Sequence, residues 1–376
     1  MCEDVTGGHH EHGAIEVEAR VLTRRGFIGA GVAGLGAALL AACTRGTAPL
    51  VPVTTSVTTS VASSDTLPTT STVAQQTVPT PAGSPSTTTA RASTTTSTVA
   101  PGGALAGFEE FADTVKVVRD GSWWLVESNG LPAHNMMVGI TSWQQQVPVS
   151  QPYSGSNAWR IPVAPVPAGT PVSGRTSLYR GAIALAANGV PIFNALNNRG
   201  DDAFLFGELD QWGGHAGRAD DYHYHVAPLH LSDTVGASRP IAVALDGYPI
   251  YGESEPDGSN VRGLDELNGH EHGSLGYHYH GTRTYPYVNG GLRGVVTVSG
   301  DQVEPQPRTN PFRPSLEPLR GATITSFSSR AGGSYVLGYS MPTGQGEVAY
   351  SVTSAEVSFT FTQPDGTVTR ERYARR

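Results

Sequence analysis

Two histidine-bearing segments of matching layout stand out in this chain. Leu209-Asp-Gln-Trp-Gly-Gly-His215 is followed, after six residues, by Tyr222-His-Tyr-His225, and Leu264-Asp-Glu-Leu-Asn-Gly-His270 is followed, again after six, by Tyr277-His-Tyr-His280. Side chains of a β-strand alternate between its faces, so each Tyr-His-Tyr-His run puts both imidazoles on one face and both phenols on the other. Two histidines at i and i+2 lie about 6.5 Å apart at Cα, near enough for both to reach one metal ion through bonds of about 2.0–2.1 Å. The Gly-His that precedes each run can bring a third imidazole from a loop. Three histidines and a position left for water, substrate or dioxygen make a reactive geometry. The candidate metal ligands are therefore His215, His223, His225, His270, His278 and His280. Imidazole-only ligation suits a transition metal, with copper and zinc foremost.

A metal-free reading competes with this one. Neutral histidine donates from one ring nitrogen and accepts at the other, so rows of His and Tyr can close into a hydrogen-bonded ladder at a sheet interface. Against the ladder, clustered imidazoles repel one another when protonated, a conflict that a metal ion relieves and a packed sheet does not. Asp210 and Asp265, each five residues before its Gly-His histidine, can orient an imidazole or cap the turn, and capping is the preferred role. Asp220 and Asp221 precede only the first run, and His230 and His272 lack counterparts in the other unit, so none of these is assigned as a ligand. The sequence contains no Gly-x-Ser-x-Gly, His-Glu-x-x-His, Cys-x-x-Cys or phosphate-cradling Gly-x-x-x-x-Gly-Lys pattern. Two functional alternatives to plain metal binding stay open. One is a metal-dependent hydrolase or oxidoreductase using the open coordination position. The other is a metal-free wall or glycan-binding scaffold with Trp123, Trp124, Trp143, Trp159 and Trp212 as its platform, although tryptophans scattered through a β-rich chain more often belong to the core.

The likeness between the segments extends upstream, where Ile183-Ala-Leu-Ala-Ala-Asn-Gly-Val-Pro-Ile-Phe193 aligns with Ile241-Ala-Val-Ala-Leu-Asp-Gly-Tyr-Pro-Ile-Tyr251. With Asn129-Gly-Leu-Pro-Ala-His134, Asp246-Gly-Tyr-Pro-Ile-Tyr-Gly252 and Tyr285-Pro-Tyr287, this stretch of about residues 120 to 295 resembles the YHYH domain family of mostly secreted bacterial proteins. The resemblance implies a fold and an extracytoplasmic address, without an established chemistry.

The ends of the chain point to the same address. Thr23-Arg-Arg-Gly-Phe27, with Arg24 and Arg25, opens an apolar run that closes on Leu40-Ala-Ala-Cys43, the layout of a twin-arginine signal ending in a lipobox. That run of about 15 residues is too short for a helix across a hydrocarbon core of about 30 Å. Residues 1–42 are thus expected to be a removable signal and Cys43 the lipidated residue. The protein is then exported and held by its lipid at the outer face of the cytoplasmic membrane or in the cell envelope. Residues 43–104, rich in Ser, Thr, Pro and Val and without a hydrophobic period, are expected to be a disordered linker. Cys2 falls in the discarded segment, so the mature chain is expected to hold no disulfide.

The formal net charge is −8, from 24 Lys plus Arg against 32 Asp plus Glu. Nucleic-acid binding is disfavoured, because phosphate neutralisation by basic residues supplies most of that affinity. The expected partners are the membrane, through the lipid, and a cell-wall or small-molecule ligand.

From residue 105 onward, turn dipeptides dominate, with β-branched and aromatic flanks: Asp120-Gly121, Asn129-Gly130, Asn188-Gly189, Asp246-Gly247, Asp257-Gly258, Asn268-Gly269, Asn289-Gly290 and Asp365-Gly366, which imply many hairpins. The expected fold is all-β. Residues 105–295 form an antiparallel, hairpin-rich YHYH domain with internal pseudo-twofold duplication, its halves pairing across a shared centre, and 296–376 a further β segment. Only Ala104–Ala112 and Leu264–Asn268 have room for a turn or two of helix. For the address, membrane fractionation is expected to recover the protein with a diacylated Cys43 at its mature amino terminus, and Cys43→Ser is expected to release it in soluble form. A native mature form that is soluble, unacylated and begins elsewhere would sink this assignment.

Overall fold

The structure, a computed structural model, describes residues 105–375. The signal with Arg24 and Arg25, the lipidation residue Cys43 and the linker lie outside the described residues. Strands β1 (Lys116–Asp120), β2 (Trp123–Glu127) and β3 (Trp159–Pro162) form a three-stranded antiparallel sheet, and β4 (Pro167–Ser173) begins the next layer. The histidine segments lie in an eight-stranded sheet. Its strands are β5 (Ala182–Ala186), β6 (Pro191–Phe193), β7 (Gly214–Ala216), β8 (Tyr222–Tyr224), β9 (Ala242–Ala244), β10 (Pro249–Tyr251), β11 (Gly269–His272) and β12 (Gly276–His280). Then β13 (Gly291–Gly294) pairs back with β4, and β14 (Thr297–Ser299) and β15 (Gln302–Glu304) make a short hairpin. A five-stranded antiparallel meander follows: β16 (Thr323–Arg330), β17 (Ser334–Met341), β18 (Gly344–Val352), β19 (Glu356–Thr362) and β20 (Val368–Ala374). The chain is all-β apart from single turns such as the helix α1 (Ser232–Val235). No helix among the described residues is long and apolar enough to cross a membrane.

The eight-stranded sheet runs in the order β11-β12-β10-β9-β5-β6-β8-β7. Its middle is the antiparallel pair of β5 and β9, with Ala184 opposite Ala244, Leu185 opposite Val243 and Ala186 opposite Ala242. Every residue of both strands is buried, as expected of apolar strands covered on both faces. Outward from this pair, each side repeats the same steps. A hairpin closed by Asn188-Gly189 or Asp246-Gly247 adds β6 or β10. The Tyr-His-Tyr strand then docks beside it in parallel, with Ile192 opposite Tyr224 and Ile250 opposite Tyr279. The Gly-His strand closes the edge.

Three expectations are modified. The sheet is mixed, because β8 and β12 reach their places by long connections from β6 and β10, which reverse the chain twice. The two histidine runs lie at opposite ends of the strand order and share no centre; the shared middle is the apolar pair of β5 and β9. Leu264–Asn268 is a turn held by Asp265, while the helical expectation for Ala104–Ala112 is met by the short 3-10 turn Phe108–Phe111.

The meander belongs to the same compact unit as the histidine sheet. Backbone bonds join Gly139 N to Ile324 O at 2.9 Å and Ile324 N to Ile140 O at 3.0 Å, and Tyr350 Oη donates to Pro148 O at 2.6 Å. A buried ion pair adds to them. Arg313 Nε and Nη2 donate to Asp220 Oδ2 and Oδ1 at 2.7 and 2.6 Å, and Asp220 Oδ1 also accepts from Val147 N at 2.9 Å. Asp220 is thus a fastening residue, consistent with its exclusion as a ligand. Removing one partner of a buried pair strands the other charge, so Arg313→Met is expected to destabilise the protein by about 3–5 kcal/mol in urea unfolding. Asp220→Asn added to it is expected to restore part of that loss. A change below about 1 kcal/mol, the scale of an exposed pair, would refute the assignment.

Candidate functional site

Each histidine cluster is built on a Tyr-His-Tyr strand and the Gly-His strand beside it. His215 lies directly opposite His223, and His270 directly opposite His278, so these pairs share one face of their hairpins. On the other face the phenols are buried, and those of Tyr222, Tyr277 and Tyr279 are tied to carboxylates. Tyr222 Oη donates to Asp210 Oδ2 and Tyr277 Oη to Asp265 Oδ2, both at 2.8 Å. The other oxygens of the same aspartates accept the backbone N–H groups of Trp212 and Gly214, and of Leu267 and Gly269. The aspartates therefore cap the turns and anchor tyrosines, and do not orient imidazoles.

The glycine before each histidine follows from this anchor. A Cβ on Gly214 would lie 2.6 Å from Tyr222 Oη, and one on Gly269 closer still to Tyr277 Oη. Tyr279 Oη donates to Asp246 Oδ2 at 2.7 Å; its counterpart Tyr224 Oη meets Asn188 Nδ2 at 3.1 Å and His134 Nε2 at 2.8 Å. His134 stacks on Trp212 and meets His230 edge-on, so these two histidines belong to an aromatic cluster behind the site. Burial lowers the affinity of both for protons, that of His230 to a pKa of about 4.

On the imidazole face, His215, His223 and His225 bring one ring nitrogen each to within 4.8 Å of one another. His270, His278 and His280 do the same, joined by Glu255, a ligand candidate absent from the sequence analysis. The six predicted histidines thus form two groups of three. Five of them present Nδ1 to a backbone carbonyl: His223 to Asp221, His225 to Asn194, His270 to Arg262, His278 to Gly276 and His280 to Gly252. A carbonyl only accepts, so Nδ1 carries the proton and Nε2 keeps its lone pair for the cluster.

The ligand atoms of each group lie within 4.8 Å of one another, and some pairs stand at the edge length of a tetrahedral site. A tetrahedron with bonds of about 2.0–2.1 Å has edges of about 3.3 Å. Here His215 Nε2 lies 3.1 Å from His225 Nε2, and the Glu255 oxygens lie 3.0 Å from His270 Nε2, 3.2 Å from His278 Nε2 and 3.5 Å from His280 Nε2. The 3.0 Å contact lacks hydrogen-bond alignment. His270 Nε2, His280 Nε2 and Glu255 Oε1 are all buried without a hydrogen-bond partner. His272 stands outside the group, one third exposed, its Nδ1 3.9 Å from Glu255 Oε1 and its Nε2 3.6 Å from Asp257.

The surroundings of the groups differ. All three histidines of the first line a cavity of about 620 Å³, and Phe193 stacks on His223 with centroids 3.8 Å apart. Neither this cavity nor the second large one, of about 820 Å³ beside Trp212 and His230, is lined by any of the four side chains of the second group. None of the five tryptophans is exposed, and Trp143 and Trp159 are fully buried, so they form no surface platform.

Burial holds His215 well below its usual pKa and His225 at about 3, with neighbouring imidazoles adding to the effect. Burial also lowers His278 and His280, and the adjacent Glu255 carboxylate only partly opposes it. The sign for stability follows. Below the ordinary value of 6.5 the unfolded chain takes up protons at these histidines that the folded chain refuses, so acid favours unfolding. Chelator-treated protein is therefore expected to lose stability progressively as pH falls from about 6.5 towards 3, measured by denaturant titration at each pH. Constant stability across that interval, or a rise, would contradict the burial of neutral imidazoles.

The sequence model of the YHYH protein family matches residues 158–262, which hold the first histidine group and Glu255. Neither the curated proteins nor the solved structures compared with the chain include a match. On the motif, its strand setting and this match, the chain carries a YHYH domain.

Proposed function

We propose that this protein is a cell-envelope lipoprotein whose two histidine groups each bind one transition-metal ion, copper or zinc. The observation that carries the reading is the convergence of Nε2 lone pairs while Nδ1 is pinned to backbone carbonyls. A hydrogen-bonded ladder would pair all the inner atoms with one another; His215 Nε2 meets His225 Nε2 and His278 Nε2 meets Glu255 Oε2, yet His270 Nε2, His280 Nε2 and Glu255 Oε1 have no partner. Each buried polar group left so costs about 1–3 kcal/mol, and one cation satisfies all three. The second group, three imidazoles and a carboxylate in a closed setting, has the donor count of a structural site. The first, with three imidazoles beside a cavity, has that of a site open to an exogenous ligand. The lipid on Cys43 would hold both centres outside the cytoplasm.

Metal analysis of protein purified through its native export route is expected to find two ions per chain. His223→Ala with His225→Ala is expected to remove one, and His278→Ala with His280→Ala the other. Bound metal adds RT ln(1 + [L]/Kd) to stability, about 4 kcal/mol at a thousandfold excess over Kd, so chelation should lower Tm clearly. Protein without stoichiometric metal that melts identically with and without chelator would leave the ladder as the better account.

A further inference from the structure

The two groups differ at one position of an otherwise shared turn. After β6 the backbone bridges Leu196 to Asp202, and after β10 it bridges Ser254 to Asn260. Inside these bridges, Asn197 N donates to Asp201 O at 2.8 Å and Gly200 N to Asn197 O at 2.9 Å, while Glu255 N donates to Ser259 O at 3.0 Å and Gly258 N to Glu255 O at 2.9 Å. Asn197 and Glu255 thus occupy the same place in the turn. The Glu255 carboxylate reaches into its histidine group. The Asn197 amide is engaged elsewhere: Nδ2 donates to Glu208 Oε1 at 3.1 Å, and Oδ1 accepts from the backbone N–H groups of Arg199 and Asp201. The first group therefore has three donors where the second has four.

The cavity beside that missing donor is cationic at its edge. Arg180, Arg199, Arg218 and Arg308 line it, and all four are exposed. Among the described residues, Arg180, Arg218 and Arg308 form no ion pair; Arg199 pairs with Glu208 and Asp201. Of the carboxylates lining the cavity, Glu208 pairs with Arg199 and accepts from Asn197, while Asp221 accepts from Ala219 N and Glu304 from Gln302, both neutral donors. In a chain of net charge −8, arginines from four separate segments line this one cavity. Four guanidinium groups stand against three carboxylates in this lining, and guanidinium forks match oxyanions in geometry.

We propose that the His215, His223 and His225 centre binds the carboxylate or phosphate group of a small molecule at its open position, with the arginines lining the cavity selecting the anion, while Glu255 closes the other centre. This rests on the metal reading above. The test uses the whole mature protein loaded with cobalt(II), with bound cobalt counted before each titration, at low ionic strength. The probes are inorganic phosphate and acetate, whose relative affinities tell a phosphate from a carboxylate preference. The wild type is expected to show a saturable change in the visible cobalt spectrum. Asn197→Glu is expected to keep two ions and lose that change, because the new carboxylate supplies the fourth donor. Arg180→Gln with Arg308→Gln is expected to keep the response and raise the half-saturating anion concentration about tenfold, the effect of roughly 1.4 kcal/mol. Protein that holds two cobalt ions yet responds to neither anion overturns the proposal, as does an Asn197→Glu variant that responds like the wild type. An unchanged half-saturation in the double arginine variant overturns the role of the arginines. Protein that binds no cobalt instead overturns the metal reading itself.

Discussion

The hydrogen bond from a buried tyrosine to a turn-capping aspartate, Tyr222 to Asp210 and again Tyr277 to Asp265, is the constraint on which the imidazole face depends. Each aspartate divides its two oxygens, one holding backbone N–H groups of the turn and the other the phenol. The turn, the Gly-His strand and the Tyr-His-Tyr strand therefore move as one piece. Because side chains alternate along a strand, a phenol locked on one face sets the direction of the imidazoles on the other. The phenol also passes so close to the partner strand that the residue before each Gly-His histidine has no room for a Cβ. Backbone carbonyls then hold Nδ1 on the near side of five imidazoles. What remains free to vary is what stands opposite Nε2.

That remaining freedom separates the two ends of the sheet. At one end Glu255, 1 % exposed, joins three imidazoles, of which His278 and His280 are buried and His270 partly so, and neither large cavity borders the group. At the other, Asn197 is turned into a network with Glu208 and Arg199, and the imidazoles border a cavity. A carboxylate, and in its place an amide shorter by one methylene, thus divide a four-donor set from a three-donor one. The sheet can carry both because its middle, the β5 and β9 pair, is apolar and indifferent to what its outer strands hold.

The C-terminal meander bears on the open end. Arg313, on the segment leading into it, reaches Asp220 in the loop between β7 and β8, and Tyr350 of β18 reaches Pro148. The cavity wall includes residues 302 to 311, which join the histidine sheet to that meander. The open site is therefore assembled from distant parts of the chain, whereas the four-donor one is completed within residues 255 to 280.

This contrast explains what was legible in the sequence. Strand alternation is a local property, so Tyr222 to His225 and Tyr277 to His280 by themselves determined that imidazoles and phenols part to opposite faces, and Gly-His at fixed spacing determined the third nitrogen. Of the eight Asx-Gly dipeptides, Asp120-Gly121, Asn188-Gly189, Asp246-Gly247 and Asp365-Gly366 close four hairpins, while Asn129-Gly130, Asp257-Gly258, Asn268-Gly269 and Asn289-Gly290 join no two paired strands, because the pair favours a turn without choosing what flanks it. Glu255 had only a faint signal. Carrying the alignment of Phe193 with Tyr251 four residues further pairs it with Asn197, but a single carboxylate in a loop has no period that betrays where its side chain ends. The parallel docking of β8 and β12, the placing of the two histidine groups at opposite ends of the strand order, and the cavity lined by four arginines depend on contacts between residues far apart in sequence. Only the tertiary structure decided them, since strand order and loop placement follow from how the whole set of apolar faces is buried at once.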